Sequence, residues 1–434
     1  MSLLIKNARI INGAGETGPA SPSATADIFI ENGKIAKIAP HIDRANVTLI
    51  DAKGKVVIPG LIDLHVHLRE PGREDKETIE TGARSAVKGG FTSIFCMPNT
   101  TPAIDTAQVV QYILDQAEKV ALVNVYPVGA ITKGREGKEI TEMMDLKQAG
   151  CLGISDDGRG LMNAGLMRRA MEYAKMAGLL VMQHCEDDNL SAKGVMNEGA
   201  LSTLLGLKGD PIIAETVIIA RDIEIARYLG TRVHFMHISA ARSVDLVRRA
   251  KAEGVKVSCE ATPHHFTLTE EVVKSFDTST KVNPPLRTRM DVDAIKAGLK
   301  DGTIDCIATD HAPHTHEDKE VEYDGAPPGL IGLETAFPLA LKELVATGVL
   351  TLPQLVDKMS AAPARVMGLT DKGEIAVGKD ADIAIIDLDR EWKVTKEDTA
   401  SKSKNSPFMG WTLKSRVTAT ICGGNVVYSD ARAS

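Results

Sequence analysis

The residues most able to do chemistry in this 434-residue chain are histidines and aspartates that follow short apolar runs. His65 and His67 come after the apolar run 56–62, and residues two apart in an extended strand project to the same face. Two imidazoles on one face form half of a metal site, although an isolated His-x-His pair arises by chance more often than not. The pair therefore predicts a metal site only if other strands supply further ligands.

Polar side chains of the same kind occur at the ends of most other apolar runs. In chain order they are Asn99, Asp156, Asp157, His184, His237, His264, His265 and Asp310. Any one of them could be a satisfied core histidine or a helix-capping aspartate. Their joint occurrence at strand ends argues against chance.

The elements that must position these residues alternate between apolar, β-branched runs and helical stretches. The eight runs are 56–68, 90–99, 124–132, 150–158, 179–187, 232–239, 256–265 and 304–314. Helices are predicted between most of them, for example at 76–90, 165–178 and 240–254. Eight such units predict a (β/α)8 barrel of the α/β class, whose active site lies where the carboxyl ends of the strands meet. A doubly wound open sheet is the alternative, but no Gly-x-Gly-x-x-Gly turn follows an early strand.

Both ends of the chain have a different, strand-rich texture. Residues 1–57 contain short strands, a Gly/Ser/Pro-rich bend at 13–24 and a hairpin-like Asn32-Gly33, and 417–428 also resembles a hairpin. Each end alone has too few strands to bury a core. We therefore predict a smaller β-sandwich domain formed by residues 1–57 and 366–434, with the barrel spanning 58–365. Two unrelated tails are the alternative.

Composition restricts the classes of partner and compartment. A net charge of −7 argues against nucleic acid as the main partner, and no apolar run is long enough to span a membrane. The N-terminal residues carry Lys6 and Asn7 too early for a secretory signal. Most of the six cysteines fall in apolar runs, which fits a reducing compartment. These features predict a cytoplasmic protein.

The candidate ligands are four histidines and two aspartates, without a thiolate in the motifs. This set suits zinc or another first-row divalent ion in a catalytic role. Cys185 faces away from His184 if the strand alternates, so we interpret it as a packing residue. Six ligands exceed what one tetrahedral ion with an open position uses, so two ions bridged by a carboxylate explain the count better.

With these residues, the sequence resembles a known family, the dihydroorotases of the long bacterial type (type I) within the amidohydrolase superfamily. The resemblance covers essentially the whole chain, including the composite β-domain. It rests on the motifs PGLIDLHVHLREPG, GFTSIFCMPNT, ISDDG, QHCED, HIS, NPPLR, IATDHAPH and PPGLIGLET.

The resemblance implies a ligand set. His65, His67 and Asp310 would hold the first ion, and His184 and His237 the second. Most members of the superfamily bridge the ions with a carbamylated lysine on strand four, but this chain has Asp156 and Asp157 there. The resemblance favours Asp157 as the bridge, with Asp156 as a supporting group. It implies Zn²⁺ as cofactor, with one or two ions per subunit and two expected.

Substrate contacts follow from chemistry as well as resemblance. Arg69 is two residues past His67, and its guanidinium can bind a substrate carboxylate bidentately. A surface salt bridge with Glu70 or Glu74 is the alternative for this arginine. Asn99 can add an amide donor at the end of strand two. The resemblance further implies that Asn283, His314, Pro328 and Gly329 contact the substrate, together with the candidate metal ligand His67.

The implied activity is the reversible cyclisation of N-carbamoyl-L-aspartate to L-dihydroorotate in pyrimidine biosynthesis, with Asp310 as general base and acid. Segment 315–333 is polar and Gly/Pro-rich, which predicts a mobile loop over the site. A hydantoinase or allantoinase is the close alternative, but those usually carry the strand-four lysine and lack Arg69. An inactive partner of aspartate transcarbamoylase is the second alternative. The resemblance also implies a homodimer and association with that transferase.

Overall fold

The computed structural model describes residues 2–13 and 25–430. The bend predicted at 13–24 lies outside these residues except for Gly13. The strands, in chain order, are β1 (Ser2–Ile10), β2 (Ala26–Glu31), β3 (Lys34–Ala39), β4 (Thr48–Asp51), β5 (Val56–Pro59), β6 (Leu61–Val66), β7 (Phe91–Cys96), β8 (Asn124–Pro127), β9 (Gly153–Ile154), β10 (Leu180–Gln183), β11 (Met196–Asn197), β12 (Gly209–Asp210), β13 (Val233–Phe235), β14 (Val257–Ala261), β15 (Cys306–Ile307), β16 (Ile383–Lys393), β17 (Thr412–Cys422) and β18 (Asn425–Ser429).

The α-helices are α1 (Ile79–Lys88), α2 (Ala107–Val120), α3 (Met143–Ala149), α4 (Ala164–Ala177), α5 (Asp188–Ser191), α6 (Ala200–Leu205), α7 (Ile213–Leu229), α8 (Ala241–Ala252), α9 (Pro263–Thr267), α10 (Arg289–Asp301), α11 (His316–Lys319), α12 (Ala336–Ala340), α13 (Leu352–Val356) and α14 (Ala362–Met367). Short 3₁₀ turns occur at Lys133–Arg135, Glu270–Ser275 and Thr278–Thr280, and π-helical turns at Leu341–Val345 and Asp357–Ala361. No helix among the described residues is long and apolar enough to cross a membrane.

Eight parallel strands form a closed barrel. They pair in the orders β6-β7-β8 and β9-β10-β13-β14-β15. Parallel bridges between Gly129 and Ile154 and between Val66 and His311 join the two groups. The predicted (β/α)8 barrel is confirmed.

Helix α1 shows why the predicted helices form where they do. Thr78 caps its first turn by accepting a hydrogen bond from the Thr81 amide, and the helix gives way at Gly89. Its buried face carries Ile79, Ala83 and Val87, spaced by four residues, against the strands. The observed helix lies within the predicted range 76–90.

The two ends of the chain form one sheet in the order β18-β17-β16-β5-β1-β2-β3, with β4 paired to β1. Apolar side chains from both ends share one core: Leu3, Ile5, Ala8, Ile28, Ile30, Ile35, Ala52, Val57, Ile375, Ala381, Ile383, Ile385, Ala419 and Ile421. The predicted hairpins are present, because Asn32 and Gly33 adopt positive φ between β2 and β3, as do Gly423 and Gly424 between β17 and β18.

The apolar run 56–68, predicted as a single strand, is divided at Gly60. β5 pairs with β1 and β16 in the terminal sheet, whereas β6 begins the barrel. A side chain at Gly60 would overlap Thr92, since an added Cβ would lie 2.1 Å from Thr92 Oγ1. The prediction missed this division because both halves are buried and therefore equally apolar. The division also means that β5 crosses the predicted domain boundary at 57/58.

Candidate active site

The predicted site residues converge on one cavity of about 180 Å³. It lies where the barrel strands end, and its lining is His67, Arg69, Asn99, Asp157, Gly158, His184, His237, Asn283, Asp310, Ala312, His314, Pro327, Pro328 and Gly329. His65 is fully buried next to this cavity. The structure thus brings together the candidate metal ligands and substrate contacts, whereas His264 and His265, which the sequence also placed at a strand end, are buried and do not line the cavity.

Asp157 lies at the middle of the four histidines. Its Oδ1 is 3.3 Å from His65 Nε2, 3.5 Å from His184 Nδ1 and 3.7 Å from His237 Nε2. Its Oδ2 is 3.5 Å from His67 Nε2. Burial raises the pKa of Asp157, but the surrounding histidines outweigh burial and hold the pKa well below its usual range. The carboxylate is therefore ionised and contacts both pairs of histidines.

Asp310 contacts the histidines of the His-x-His pair, His65 and His67. Its Oδ1 lies 3.0 Å from His67 Nε2 and 3.4 Å from His65 Nε2. His65, His67 and Asp310 form one compact group of buried donors, and His65, Asp157 and His237 form a second. His184 joins the second group, with its Nδ1 3.0 Å from His237 Nε2.

These donors fit divalent metal ions. Ligand atoms held about 2.1 Å from one ion in a tetrahedral arrangement lie about 3.4 Å apart, and the contacts from the two carboxylates to the histidines measure 3.0 to 3.7 Å. His65 Nε2 is wholly buried and makes no hydrogen bond within the described residues, so its lone pair is available to an ion. Four imidazoles and two carboxylates suit a catalytic first-row metal.

The two aspartates of the ISDDG motif have different surroundings. Asp156 Oδ1 accepts hydrogen bonds from the amides of Ile131 and Thr132, at 2.9 and 3.0 Å, so it ties down the loop after β8. Asp157 alone faces the histidines. No lysine occurs among the described residues that line the cavity. Within this lining, Asp157 and Asp310 supply the carboxylates.

Three of the candidate ligands are oriented by neighbouring side chains, and two of those neighbours, Glu260 and Glu186, were not predicted from the sequence. Asn99 Oδ1 accepts from His67 Nδ1 at 2.8 Å. Glu260 Oε1 accepts from His65 Nδ1 at 3.1 Å, and Glu186 Oε2 accepts from His184 Nε2 at 2.9 Å. Each bond fixes which ring nitrogen faces the centre. Glu260 could have been predicted as a charged residue inside the apolar run 256–261. Glu186 could have been predicted because it follows His184 by two residues.

Arg69 lines the cavity and makes no salt bridge with Glu70 or Glu74 within the described residues. Its Nε donates to the Pro313 carbonyl at 3.1 Å. Glu70 instead accepts from Tyr112 and from the Ile79 amide. Burial lowers the pKa of Arg69 to about 10, which leaves the guanidinium charged at neutral pH.

Segment 315–333 supplies Pro327, Pro328 and Gly329 to the cavity wall, and it is more buried than its composition indicated. Tyr323, Leu330 and Leu333 are all under 5% exposed. Two buried lysines hold its backbone, because Lys281 donates to the carbonyls of Tyr323 and Asp324 and Lys319 donates to that of Pro327. The sequence does not predict this arrangement, because it does not show whether a lysine donates to backbone carbonyls or is exposed to solvent.

His314 connects this segment to Arg69. Its Nε2 lies 2.9 Å from the Pro328 carbonyl and 3.4 Å from Arg69 Nη2, while Lys76 Nζ lies 3.1 Å from its Nδ1. Burial and the nearby cations lower the pKa of His314 to about 2, so the ring is neutral. Gly329 N–H donates to the Lys281 carbonyl at 2.8 Å, so this amide is engaged within the protein.

Asn283 lines the opposite part of the cavity, and its Nδ2 donates to Glu186 Oε2 at 2.7 Å. Glu186 thus contacts both a candidate metal ligand and a candidate substrate contact. Burial raises the pKa of Glu186, but its bond with His184 outweighs this and lowers the pKa to about 2.

Three site residues have left-handed backbone conformations. Arg69, His237 and Asp310 have φ of +63°, +34° and +47°. Such conformations cost of order 1–3 kcal/mol each and persist where the surrounding structure enforces them. Here they lie directly after barrel strands, where the chain leaves the sheet and side chains face the centre.

Comparison with known proteins agrees with this site. A family profile described as "Amidohydrolase family" matches residues 213–428. The L-hydantoinase (dihydropyrimidinase) of Arthrobacter aurescens superposes with a TM-score of 0.86 and 27% sequence identity, over 98% of this chain and 96% of that chain. The fold and the site together define a metal-dependent cyclic amidohydrolase.

Closer sequence relatives specify the family. A profile described as "Dihydro-orotase-like" matches residues 54–243. The dihydroorotase of Pelotomaculum thermopropionicum is 56% identical over 430 residues, covering 99% of both chains. That of a Geobacter species is 51% identical over 429 residues, again covering 99% of both. The chain belongs to the dihydroorotase family.

Proposed function

We propose that the protein catalyses the reversible cyclisation of N-carbamoyl-L-aspartate to L-dihydroorotate, a step of pyrimidine biosynthesis. One observation carries the proposal. A cavity built on four histidines and two aspartates also contains Arg69, a half-buried cation whose side chain has no salt-bridge partner within the described residues. Both proposed substrates carry a carboxylate beside the reacting group, which this arginine would bind.

We assign zinc as the metal, with two ions expected per subunit. His65, His67 and Asp310 would hold one ion, His184 and His237 the other, and Asp157 would contact both. Bound ions would polarise the reacting carbonyl and lower the pKa of the attacking water.

The chain's own groups would bind the substrate and move the proton. Arg69 Nε is occupied by the Pro313 carbonyl, which leaves both Nη groups for the substrate carboxylate. Asp310 would accept a proton from the attacking water and return it to the ring nitrogen as the amide bond breaks. In ring closure the proton would travel in the opposite direction. Asn99, Asn283, His314 and the backbone at Pro328 and Gly329 would contact the ring.

A substrate panel tests the proposal. Purified protein of known metal content is supplied with L-dihydroorotate, N-carbamoyl-L-aspartate, hydantoin and allantoin, and initial rates are compared. We expect turnover of the first two and, at most, weak turnover of the others, with zinc found by elemental analysis. Faster hydrolysis of hydantoin or allantoin, or no turnover by the metal-loaded protein, would overturn it.

We also propose that the protein works in the reducing cytoplasm, as a homodimer, and that it associates with aspartate transcarbamoylase. The six cysteines are all free thiols, which supports the reducing compartment. The two associations rest on family resemblance alone. Gel filtration with light scattering tests both associations. A monomeric protein whose measured mass does not change when the transferase is added would contradict them.

A further inference from the structure

The barrel interior contains a chain of polar side chains next to the candidate metal centre. Glu260 on β14 and His234 on β13 are both fully buried. Glu260 Oε1 lies 3.1 Å from His65 Nδ1, and its Oε2 lies 3.1 Å from His234 Nε2. His234 Nδ1 in turn lies 2.8 Å from Ser258 Oγ. Four side chains are thus linked from a candidate metal ligand, through the core, to the half-buried Ser258.

The donors and acceptors of this chain determine the state of each ring. A carboxylate only accepts hydrogen bonds, so both imidazoles must donate to Glu260. His65 then carries its proton on Nδ1, and its Nε2, which has no hydrogen bond within the described residues, keeps a free lone pair. His234 carries its proton on Nε2 and accepts at Nδ1 from the Ser258 hydroxyl.

A purely structural role does not account for this arrangement. Burying a carboxylate in a barrel core is costly unless every oxygen is bonded, and apolar residues of similar size usually serve folding as well or better. Here each oxygen has an imidazole partner, and one of those imidazoles faces the metal centre.

We propose that Glu260 is a positioning residue that fixes His65 in the Nδ1–H tautomer with Nε2 directed at the metal, and that His234 and Ser258 hold Glu260 in place. This rests on the metal centre of the proposed function. His67 is oriented by Asn99, which lines the cavity, and His184 by Glu186, which also bonds the lining residue Asn283, whereas His65 is oriented from inside the barrel.

Metal affinity of the metal-free protein is the direct test, measured with Zn²⁺ in competition with a chromogenic chelator. Glu260→Leu removes the acceptor, and we expect the affinity for Zn²⁺ at the site that contains His65 to fall about 10- to 100-fold. Asp222→Leu is the matched control, because Asp222 is an equally buried carboxylate on α7 that pairs with Arg221. It should lower thermal stability but leave Zn²⁺ affinity unchanged.

A double-mutant cycle keeps the test decisive if Glu260→Leu does not fold. In Glu260→Gln the amide oxygen can still accept from His65, while its NH₂ requires His234 to change tautomer and donate to Ser258. Ser258→Ala removes that partner. We expect each single variant to stay within about 3-fold of wild type and the double variant to lose more than their product. The Co²⁺ absorption spectrum should change in parallel.

The outcomes are distinguishable. Unchanged Zn²⁺ affinity in Glu260→Leu, or strictly multiplicative effects in the cycle, would overturn the positioning role while the proposed function stands. Wild-type protein that binds no divalent metal would overturn the proposed function itself.

Discussion

At the scale of single residues, the neighbouring histidines determine the pKa of both candidate ligand aspartates, Asp157 and Asp310. Burial raises the pKa of Asp310, as it does for Asp157, but the adjacent histidines outweigh burial and lower the pKa of both. Both are therefore ionised near neutral pH. Both line the cavity, but Asp157 contacts all four histidines, whereas Asp310 contacts two of them, His65 and His67. That difference supports a holding role for Asp157 and a proton-transfer role for Asp310.

Replacing Asp310 with Asn tests the second role. An amide can still offer an oxygen to a metal but cannot carry the proton, so we expect kcat to fall about 10²- to 10⁴-fold with metal content retained. Asp156→Asn is the control, because Asp156 binds loop amides outside the centre and should affect stability more than kcat. Substantial activity in Asp310→Asn would exclude this carboxylate as the general base.

Arg69 gives a prediction about substrate binding. A guanidinium keeps its charge throughout the usable pH range, so the contact with the substrate carboxylate should be present in every assay. Arg69→Gln removes a charge-assisted contact, and we expect the KM for dihydroorotate to rise about 10- to 100-fold with a smaller change in kcat. Arg73→Gln is the control, since Arg73 is exposed and paired with Asp75. A wild-type KM in Arg69→Gln would rule out the carboxylate contact.

At the scale of elements, segment 315–333 is held in place where its backbone lies close to neighbouring residues. Gly329 has φ of +132°, and an added Cβ would lie 2.7 Å from Ala312 Cβ and 3.1 Å from His314 Nε2. Gly329 also donates to Lys281 and accepts from Asn405. The segment is thus held from both sides within the cavity wall.

Gly329→Ala should displace this wall without unfolding the barrel. We expect a rise in KM and a fall in kcat/KM of at least 10-fold, because His314 and Arg69 lose their alignment. Metal content should not change, since the residues that hydrogen-bond Gly329, Lys281 and Asn405, are not candidate ligands. Gly325→Ala in the same segment is the control, because the nearest atom to an added Cβ there is 3.5 Å away. Equal kinetics in both variants would contradict this account.

At the scale of the whole molecule, the terminal sheet and the barrel are packed as one body. Val56, Ile58, Ala384, Ile386 and Val417 of the terminal sheet belong to the same apolar cluster as the barrel core. Thr420 Oγ1 also donates to the carbonyl of Val87, near the end of α1. We therefore expect the two parts to unfold together, even if the division near 57/58 and 365/366 is kept as a domain boundary.

Gly60, where the chain passes from the sheet to the barrel, tests this coupling. Gly60→Ala would force the chain away from Thr92 and should lower the free energy of unfolding by about 1–3 kcal/mol. Scanning calorimetry should show a single transition at a lower temperature. Gly54→Ala, where an added Cβ meets nothing within 4 Å although φ is +78°, controls for backbone strain alone. Two separate transitions in wild type would disprove the coupling.

The sequence alone determined the barrel, the two-ended β-domain and the identity of the ligand-type residues. It could do so because burial imposes a period on apolar residues and because strand ends concentrate polar ones. In this way or by resemblance it predicted six candidate ligands that lie together in the structure: His65, His67, Asp157, His184, His237 and Asp310.

Only the tertiary structure decided which partners these residues have. Asp156 and Asp157 are neighbours in sequence, and folding sends one to loop amides and the other to the histidines. Glu260 lies 195 positions from His65, and Lys281 holds Tyr323 and Asp324 from a different loop. Sequence spacing fixes the face on which a side chain lies within its own element. Contacts between elements depend on how the closed barrel brings distant strand ends together, and no local pattern records that.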